Sequence, residues 1–112
     1  MKKITVIIQP NKFDNVKKRL IETGVKGITI TNVEGFGYEK KQMDILKDKE
    51  VLIEFLPKIK IEIILKDNEV EKVINDIIDV TRTGRLGDGK IFVSEITDVI
   101  RIRTGERKDD AL

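Results

Sequence analysis

Histidine, cysteine and tryptophan are all missing from this chain of 112 residues. Without cysteine there is no disulfide, no thiolate metal site and no thiol nucleophile, a usage that agrees with a reducing compartment. Without histidine, Ser-His and phosphohistidine chemistry are excluded together with every His-ligated metal, and a hard cation such as magnesium would find only carboxylates. An excess of one charge is lacking too. Charged residues make up 38%, but 22 Lys+Arg stand against 20 Asp+Glu, and a net charge of +2 implies no strong pull towards nucleic acid. Nor is there a long apolar run. The one that follows Met1-Lys2-Lys3 is stopped by Gln9-Pro10, too soon for a signal-peptide core or a bilayer span, and the expectation is a cytoplasmic protein. The length suits one domain, residues 1–112, with one core.

What is present is a clear alternation of periods. Ile4, Val6 and Ile8 alternate with Lys3, Thr5, Ile7 and Gln9, the pattern of a strand with one face on a core. Phe13, Val16 and Leu20 then recur at helical spacing, with Asn11 as the expected N-cap and Gly24 as the stop. A second strand carries Ile28, Ile30 and Asn32 on one side and Thr29, Thr31 and Val33 on the other, up to Gly35-Phe36-Gly37. Residues 37–57 form a long connection of mixed charge, ending in an apolar patch of Val51, Leu52, Ile53, Phe55 and Leu56. Two readings stand for it, a mobile partner-binding loop, in which Met43 is either a docking contact or simply solvated, and an extended hairpin. The third strand is the clearest: Ile59, Ile61, Ile63 and Leu65 alternate with Lys58, Lys60, Glu62 and Ile64. Asp67 or Asn68 is then expected to cap a helix whose stripe is Val70, Val73, Ile74, Ile77, Ile78 and Thr81, and Lys90 to Val93 is the fourth strand.

Strand, helix, strand, strand, helix, strand is the α+β, ferredoxin-like split βαβ: a four-stranded antiparallel sheet with both helices on one face. The other face would carry Thr5, Ile7, Thr29, Thr31, Lys60, Glu62 and Ile64, too apolar for a purely solvated surface and too polar for a core. A subunit interface with closed symmetry fits it.

The densest chemistry lies in Thr83-Gly-Arg-Leu-Gly-Asp-Gly-Lys-Ile-Phe-Val93. Glycine reaches positive φ and lets a backbone approach a ligand, so Gly87-Asp88-Gly89 can turn its N–H groups inward as an anion nest beside Lys90. Asp-Gly between apolar runs is equally a hairpin signal. Downstream, Val99-Ile-Arg-Ile-Arg-Thr-Gly-Glu-Arg107 alternates apolar and cationic residues, and on an extended segment Arg101 and Arg103 share a face. Two guanidiniums side by side suit a polyphosphate, and they equally suit a charged, solvated edge strand. The tail, residues 107–112, reads as solvated.

With these segments in order, TGRLGDGKIFVSEI at Thr83 to Ile96 resembles the C-terminal signature of the PII nitrogen-regulatory proteins, and KGITITNVEGFG at Lys26 to Gly37, FLPKIKIEI at Phe55 to Ile63 and IRIRTGE at Ile100 to Glu106 keep that family's spacing. The resemblance implies a homotrimeric signalling protein, not an enzyme, with ATP or ADP held in clefts between subunits. Gly87, Asp88, Gly89 and Lys90 would hold phosphates from one subunit, with Arg101 and Arg103 reaching them from the next. Thr29, Glu62 and Ile64 would line the adenine end, and Gly35, Phe36, Gly37 and Tyr38 would close over the nucleotide. The loop would dock on an ammonium channel, a nitrogen-assimilation enzyme or another transporter, so that contact with a membrane is only indirect.

The loop is also where the chain departs from the family. Tyr38-Glu39 replaces Arg-Gln at its base, and Val51 stands at the uridylylated position without a hydroxyl; serine phosphorylation has no acceptor there, Ser94 being the only serine. The family's glutamine helps to hold a magnesium that bridges ATP and 2-oxoglutarate. Glu39 is itself a possible magnesium ligand, but it sets a negative charge beside a dianion. Unit charges about 4 Å apart repel by roughly 4 kcal/mol at an effective dielectric near 20, where tenfold in affinity takes about 1.4. A weakened 2-oxoglutarate response is expected, although Lys58, which meets its carboxylate in relatives, is present. Losing a cation at Tyr38 lets ADP compete with ATP, which admits an adenylate sensor for a target outside nitrogen metabolism.

Two rivals come from other classes. A magnesium-dependent phosphoryl-transfer or hydrolysing enzyme would use Asp88 or Glu62 with Lys90, but it lacks an evident positioned base. A nucleic-acid binder of the same topology would stack bases on sheet aromatics, and with four Phe and one Tyr the chain offers only Phe92, read as lying on a central strand.

Overall fold

A computed structural model describes residues 1–36 and 55–112. Four strands, β1 (Lys2–Ile8), β2 (Thr29–Gly35), β3 (Leu56–Leu65) and β4 (Lys90–Glu95), and two helices, α1 (Phe13–Thr23) and α2 (Val70–Thr81), follow one another in the expected sequence. The strands form one antiparallel sheet in the order β2-β3-β1-β4. Alternation along β1 buries Ile4, Val6 and Ile8, and alternation along β3 buries Ile61, Ile63 and Leu65; the helices meet them with Val16, Leu20, Val70, Val73 and Ile77. One side of the sheet is therefore packed, and the same register places the other side residue by residue. Thr29, Glu62, Thr5 and Phe92 lie in one row across all four strands, and Thr31, Lys60, Ile7 and Lys90 in the next.

Both helices start differently from the sequence expectation. Pro10–Lys12 and Asp67–Glu69 are single 3-10 turns that lead into α1 and α2, so the N-cap positions fall on Lys12 and Glu69, and neither side chain makes a cap hydrogen bond. Pro10 opens its turn because its fixed φ suits a first helical residue and it has no N–H to satisfy. Asn11 is thus inside the turn, not ahead of it. Asp67 uses its carboxylate on the Lys2 ammonium at 3.3 Å, which ties the start of β1 to the turn before α2. The stop was legible: Gly24 has φ 95 and donates to the Ile21 carbonyl.

Strand limits moved as well. β2 begins at Thr29, one residue after Ile28, and β4 continues past Val93 to Glu95. Leu56 and Pro57, assigned from sequence to the long connection, belong to β3. Proline is tolerated there because Pro57 faces Glu34 of β2 only; pairing with β1 starts at Ile59. Phe92 is on β4, an edge strand and not a central one. Gly37, Tyr38, Glu39, Met43 and Val51, and with them the choice between loop and hairpin, lie outside the described residues.

The two helices are joined by charge on their outer side. Arg19 of α1 reaches Asp79 at 2.7 Å and Asp76 at 3.4 Å on α2, and Lys72 approaches Asp76 at 3.3 Å from one turn away. Exposed pairs of this kind add little singly. The apolar rows carry the fold, and a single row measures it. Ile30, Ile61, Val6 and Ile91 are register neighbours, yet Ile61 is fully buried while Ile30, on the edge strand, is 44% exposed. Ile61→Ala is expected to lower unfolding free energy by about 2–5 kcal/mol, and Ile30→Ala by less than about half of that, in chemical denaturation followed by circular dichroism. Equal losses at the two positions would contradict this placement of the core.

Candidate functional site

The glycine-rich stretch is a helix-to-strand connection. α2 ends at Thr81, β4 starts at Lys90, and no strand precedes the turn for it to form a hairpin with, which removes the hairpin reading. Gly84, Gly87 and Gly89 have φ of 82, 97 and 107, a region that disfavours any side chain. Gly89 is constrained twice over, since a Cβ there would fall inside the van der Waals envelope of the Ile7 carbonyl oxygen. The Gln9 amide donates from Nε2 to the Gly87 carbonyl at 2.9 Å, so the end of β1 holds the loop from the other side.

Asp88 is the surprise of the loop. Its Oδ2 accepts from the N–H of Thr83 at 2.8 Å and of Gly84 at 3.0 Å, and its Oδ1 accepts from the Thr83 hydroxyl. Thr83 Oγ1 in turn accepts the Arg85 N–H at 3.2 Å. These donors, the Thr83 hydroxyl first, hold the Asp88 carboxyl below its ordinary range. The carboxylate therefore plays the part of an internal anion and shapes the loop. Lys90 remains exposed at the head of β4. Asp88, Gly89 and Lys90 border a cleft of about 380 Å³ between β4 and α2, whose other walls include Ile74, Ile78 and Arg82.

Thr29, Glu62 and Ile64 are gathered as expected. They line a larger cleft, about 610 Å³, at the corner where β2 begins and β3 ends, together with Gly27, Lys66, Lys72 and Leu112. Glu62 sits between two cations, Lys3 at 3.2 Å and Lys60 at 3.8 Å. Lys60 was expected on the same face as Glu62, but neither lysine was read from sequence as its partner, and Gln9, Thr83 and Leu112 were given no role in a site. Only register reveals the lysines, and only the fold brings Gln9 and Leu112 to their places; a hydroxyl five residues before Asp88 is the one local signal that was there to be read.

Gly35 and Phe36 lie at the far end of β2. A Cβ on Gly35 would meet the Lys58 side chain at 3.5 Å, and the Phe36 ring meets Phe55 edge to face with centroids 6.5 Å apart. Partial burial pushes the Lys58 ammonium below its ordinary pKa. Arg101 and Arg103 do not share an extended segment. The chain turns back after Ile100, which bridges to Arg107, and the Arg101 N–H donates to the Glu106 carbonyl at 2.9 Å. The Arg101 guanidinium is paired with Glu106 at 2.8 Å, while Arg103 is exposed in the turn. Nor is the tail wholly solvated: Ala111 and Leu112 are half-buried.

The glycine loop and the Thr29–Glu62–Ile64 cleft lie on opposite sides of the sheet. Thr29 is on β2 and Lys90 on β4, with β3 and β1 between them, so three strand spacings or roughly 14 Å separate the two edges within one chain. No group of three or more acidic side chains that could hold a metal occurs among the described residues, and none of their helices is long and apolar enough to cross a membrane.

These features define a ferredoxin-like α+β module in which a glycine loop and an edge cleft are split across one sheet. The sequence model described as Nitrogen regulatory protein P-II matches residues 1–106. Proteins of that name from Azospirillum brasilense and Rhizobium meliloti are 49% and 50% identical over 112 residues, which is all of this chain and all of theirs. The crystal structure of Arabidopsis thaliana PII bound to citrate superposes with a TM-score of 0.80 at 41% identity, covering 99% of this chain and 91% of that one. The chain belongs to the P-II family of nitrogen regulatory proteins, which are signalling proteins and not enzymes.

The Asp88 geometry gives a pH test with a definite sign. A carboxyl held low in the folded state contributes stability that is complete above the unfolded value, about pH 4, and is lost as pH falls through the lower folded one. A carboxyl-carbon NMR titration is expected to place the Asp88 midpoint below about 3.9, with the Thr83 and Gly84 amides losing exchange protection in the same range. A midpoint at or above that value would mean that Asp88 does not hold those groups.

Proposed function

We propose that the chain acts as a homotrimeric regulator, gated by adenine nucleotides, that controls proteins of nitrogen metabolism or transport. The observation that carries this reading is the split site. A nucleotide needs an apolar and hydrogen-bonding pocket for its base and a cationic, N–H-rich cradle for its phosphates. In one chain these lie towards opposite edges of the sheet, which supports a site completed by setting the β4 edge of one copy beside the β2 edge of the next, in the closed trimer that the family resemblance implies. Thr29, Glu62 and Ile64 then receive the adenine. Gly87 and Gly89 present backbone, Lys90 its ammonium, and Arg101 and Arg103 their guanidiniums to the phosphates. Asp88 serves by keeping the loop in shape. Gly35 and Phe36, with Gly37 and Tyr38, close the end from which the 37–57 loop reaches its target.

Magnesium would arrive with the polyphosphate, which suits an ion that keeps few protein ligands; Glu39 is the one side chain assigned to it. The same Glu39 opposes a dicarboxylate, so 2-oxoglutarate is expected to add little to ATP binding even with Lys58 in place. The Arabidopsis relative was crystallised bound to citrate, which fits the binding of a small effector. A sensor so altered reports the adenylate ratio more than carbon supply, and that extends the range of targets beyond nitrogen metabolism.

Calorimetric titration with ATP and ADP in magnesium, with and without 2-oxoglutarate, tests all of this at once. Saturable binding of both nucleotides is expected, three per trimer, with 2-oxoglutarate changing the ATP affinity by less than about threefold and Lys90→Ala weakening it by about tenfold or more, or roughly 1.4 kcal/mol. Strong tightening by 2-oxoglutarate would reject the charge argument at Glu39, and no binding of either nucleotide would reject the function itself.

A further inference from the structure

We infer that the Asp88–Gly89 bond is a site of spontaneous backbone modification, isomerisation to an isoaspartyl linkage, which the folded loop holds unreacted through the Thr83 hydroxyl. The inference stands independently of any ligand for the loop.

The chemistry is intramolecular. The Gly89 nitrogen attacks the side-chain carboxyl carbon of Asp88, and the new C–N bond closes a succinimide ring. One carboxyl oxygen leaves as water, taking the Gly89 N–H proton and a proton from solvent. A second water then opens the ring. Cleavage at the side-chain carbonyl restores aspartate, whereas cleavage at the main-chain carbonyl of Asp88 routes the chain through its side chain and adds a methylene to the backbone. Water is the only co-reactant. The residue after the aspartate governs the attack, because a side chain there crowds the nitrogen and narrows its φ, and glycine does neither. Asp88 is the only Asp or Asn of the chain that is followed by Gly.

The most reactive bond of this kind therefore lies in the middle of the glycine loop, and the loop itself restrains it. Attack needs a carboxyl free to turn onto the next nitrogen and an oxygen that can depart as water. Neither is at hand. Oδ2 accepts from the N–H groups of Thr83 at 2.8 Å and Gly84 at 3.0 Å, and Oδ1 accepts from the Thr83 hydroxyl. These donors also favour the ionised carboxylate, whose oxygens are poor leaving groups. Gly89 sets the consequence of reaction. A Cβ on it would already collide with the Ile7 carbonyl oxygen, and Lys90, the next residue, is paired with Ile7 in the sheet. An extra methylene just before Gly89 has no room in that fit. The carboxylate left on the Asp88 Cα is one bond shorter and gives up its hold on Thr83, so the loop and the start of β4 are released together.

The test follows isoaspartate at position 88 in full-length wild type, Thr83→Ser and Thr83→Val, kept for weeks at neutral pH and physiological temperature. Peptide mapping with enzymatic methylation of isoaspartyl carboxyls reads the product, and uptake of heavy oxygen from labelled water counts ring openings. A wild-type sample in guanidinium chloride gives the rate of the unfolded chain. Folded wild type is expected to react at least about tenfold more slowly than that sample. Thr83→Val keeps the backbone donors and the shape of the side chain but not the hydroxyl, and is expected to react about fivefold faster than wild type. Thr83→Ser restores the hydroxyl and is expected to stay within about twofold of wild type. Equal rates in folded and unfolded wild type would overturn the restraint, whether or not Thr83→Val folds. Equal rates in wild type and folded Thr83→Val would overturn the part given to the hydroxyl, and no isoaspartate in the unfolded chain would overturn the site.

Discussion

The register of β1 between β3 and β4 is the constraint on which the rest of this protein depends. Because side chains alternate with period two, the pairing of Val6 with Ile61 and Ile91 commits a whole row to the core and its neighbours to the open face. A slip of one residue would turn Thr5 and Ile7 towards the helices and expose Ile4, Val6 and Ile8. The same register determines the chemistry of the open face. It sets Glu62 beside Thr29 and Thr5, within reach of Lys3 and Lys60, and it brings Lys90 opposite Ile7 at the mouth of the glycine loop.

That loop illustrates how a glycine-rich segment divides its work. Gly89 is needed for space, because the Ile7 carbonyl occupies the volume of a Cβ; Gly84 and Gly87 are needed for backbone conformation. Asp88, which in a one-dimensional reading looks like a ligand for a metal or a partner for a phosphate, is committed to the loop's own N–H groups and to Thr83. A carboxylate pointing at an incoming polyphosphate would repel it. Turned inward, it holds the loop in shape and leaves the Lys90 ammonium as the exposed charge at its end.

Much of this could be read from residue order alone, and the exceptions share a cause. The strands and helices, the core rows and the Gly24 stop were legible because each depends on a local period; the trio of Thr29, Glu62 and Ile64 was named from the family resemblance, and the fold brings the three to one cleft. The caps were not. Pro10 starts a 3-10 turn before Asn11 can cap anything, and Asp67 is drawn off by Lys2, an ion pair across 65 positions of chain. Arg101 and Arg103 alternate with isoleucines as a strand would, but Gly105, with φ 73, lets the chain double back and pair Arg101 with Glu106. Phe92 looked central because four strands in sequence do not announce which of them is an edge.

Sequence by itself determined the composition limits, the ferredoxin-like order and the family, since hydrophobic periods and a dense glycine motif are properties of neighbours along the chain. Tertiary structure alone decided that the glycine loop lies by β4 and the Thr29–Glu62–Ile64 cleft on the β2–β3 side of one sheet, that Asp88 faces inward, and that Leu112 returns to the cleft wall. The physical reason is distance along the chain. Period and propensity act over a few residues, whereas the contacts that complete the site join positions tens of residues apart, and those are fixed only when the sheet closes its register and the helices cover one side of it.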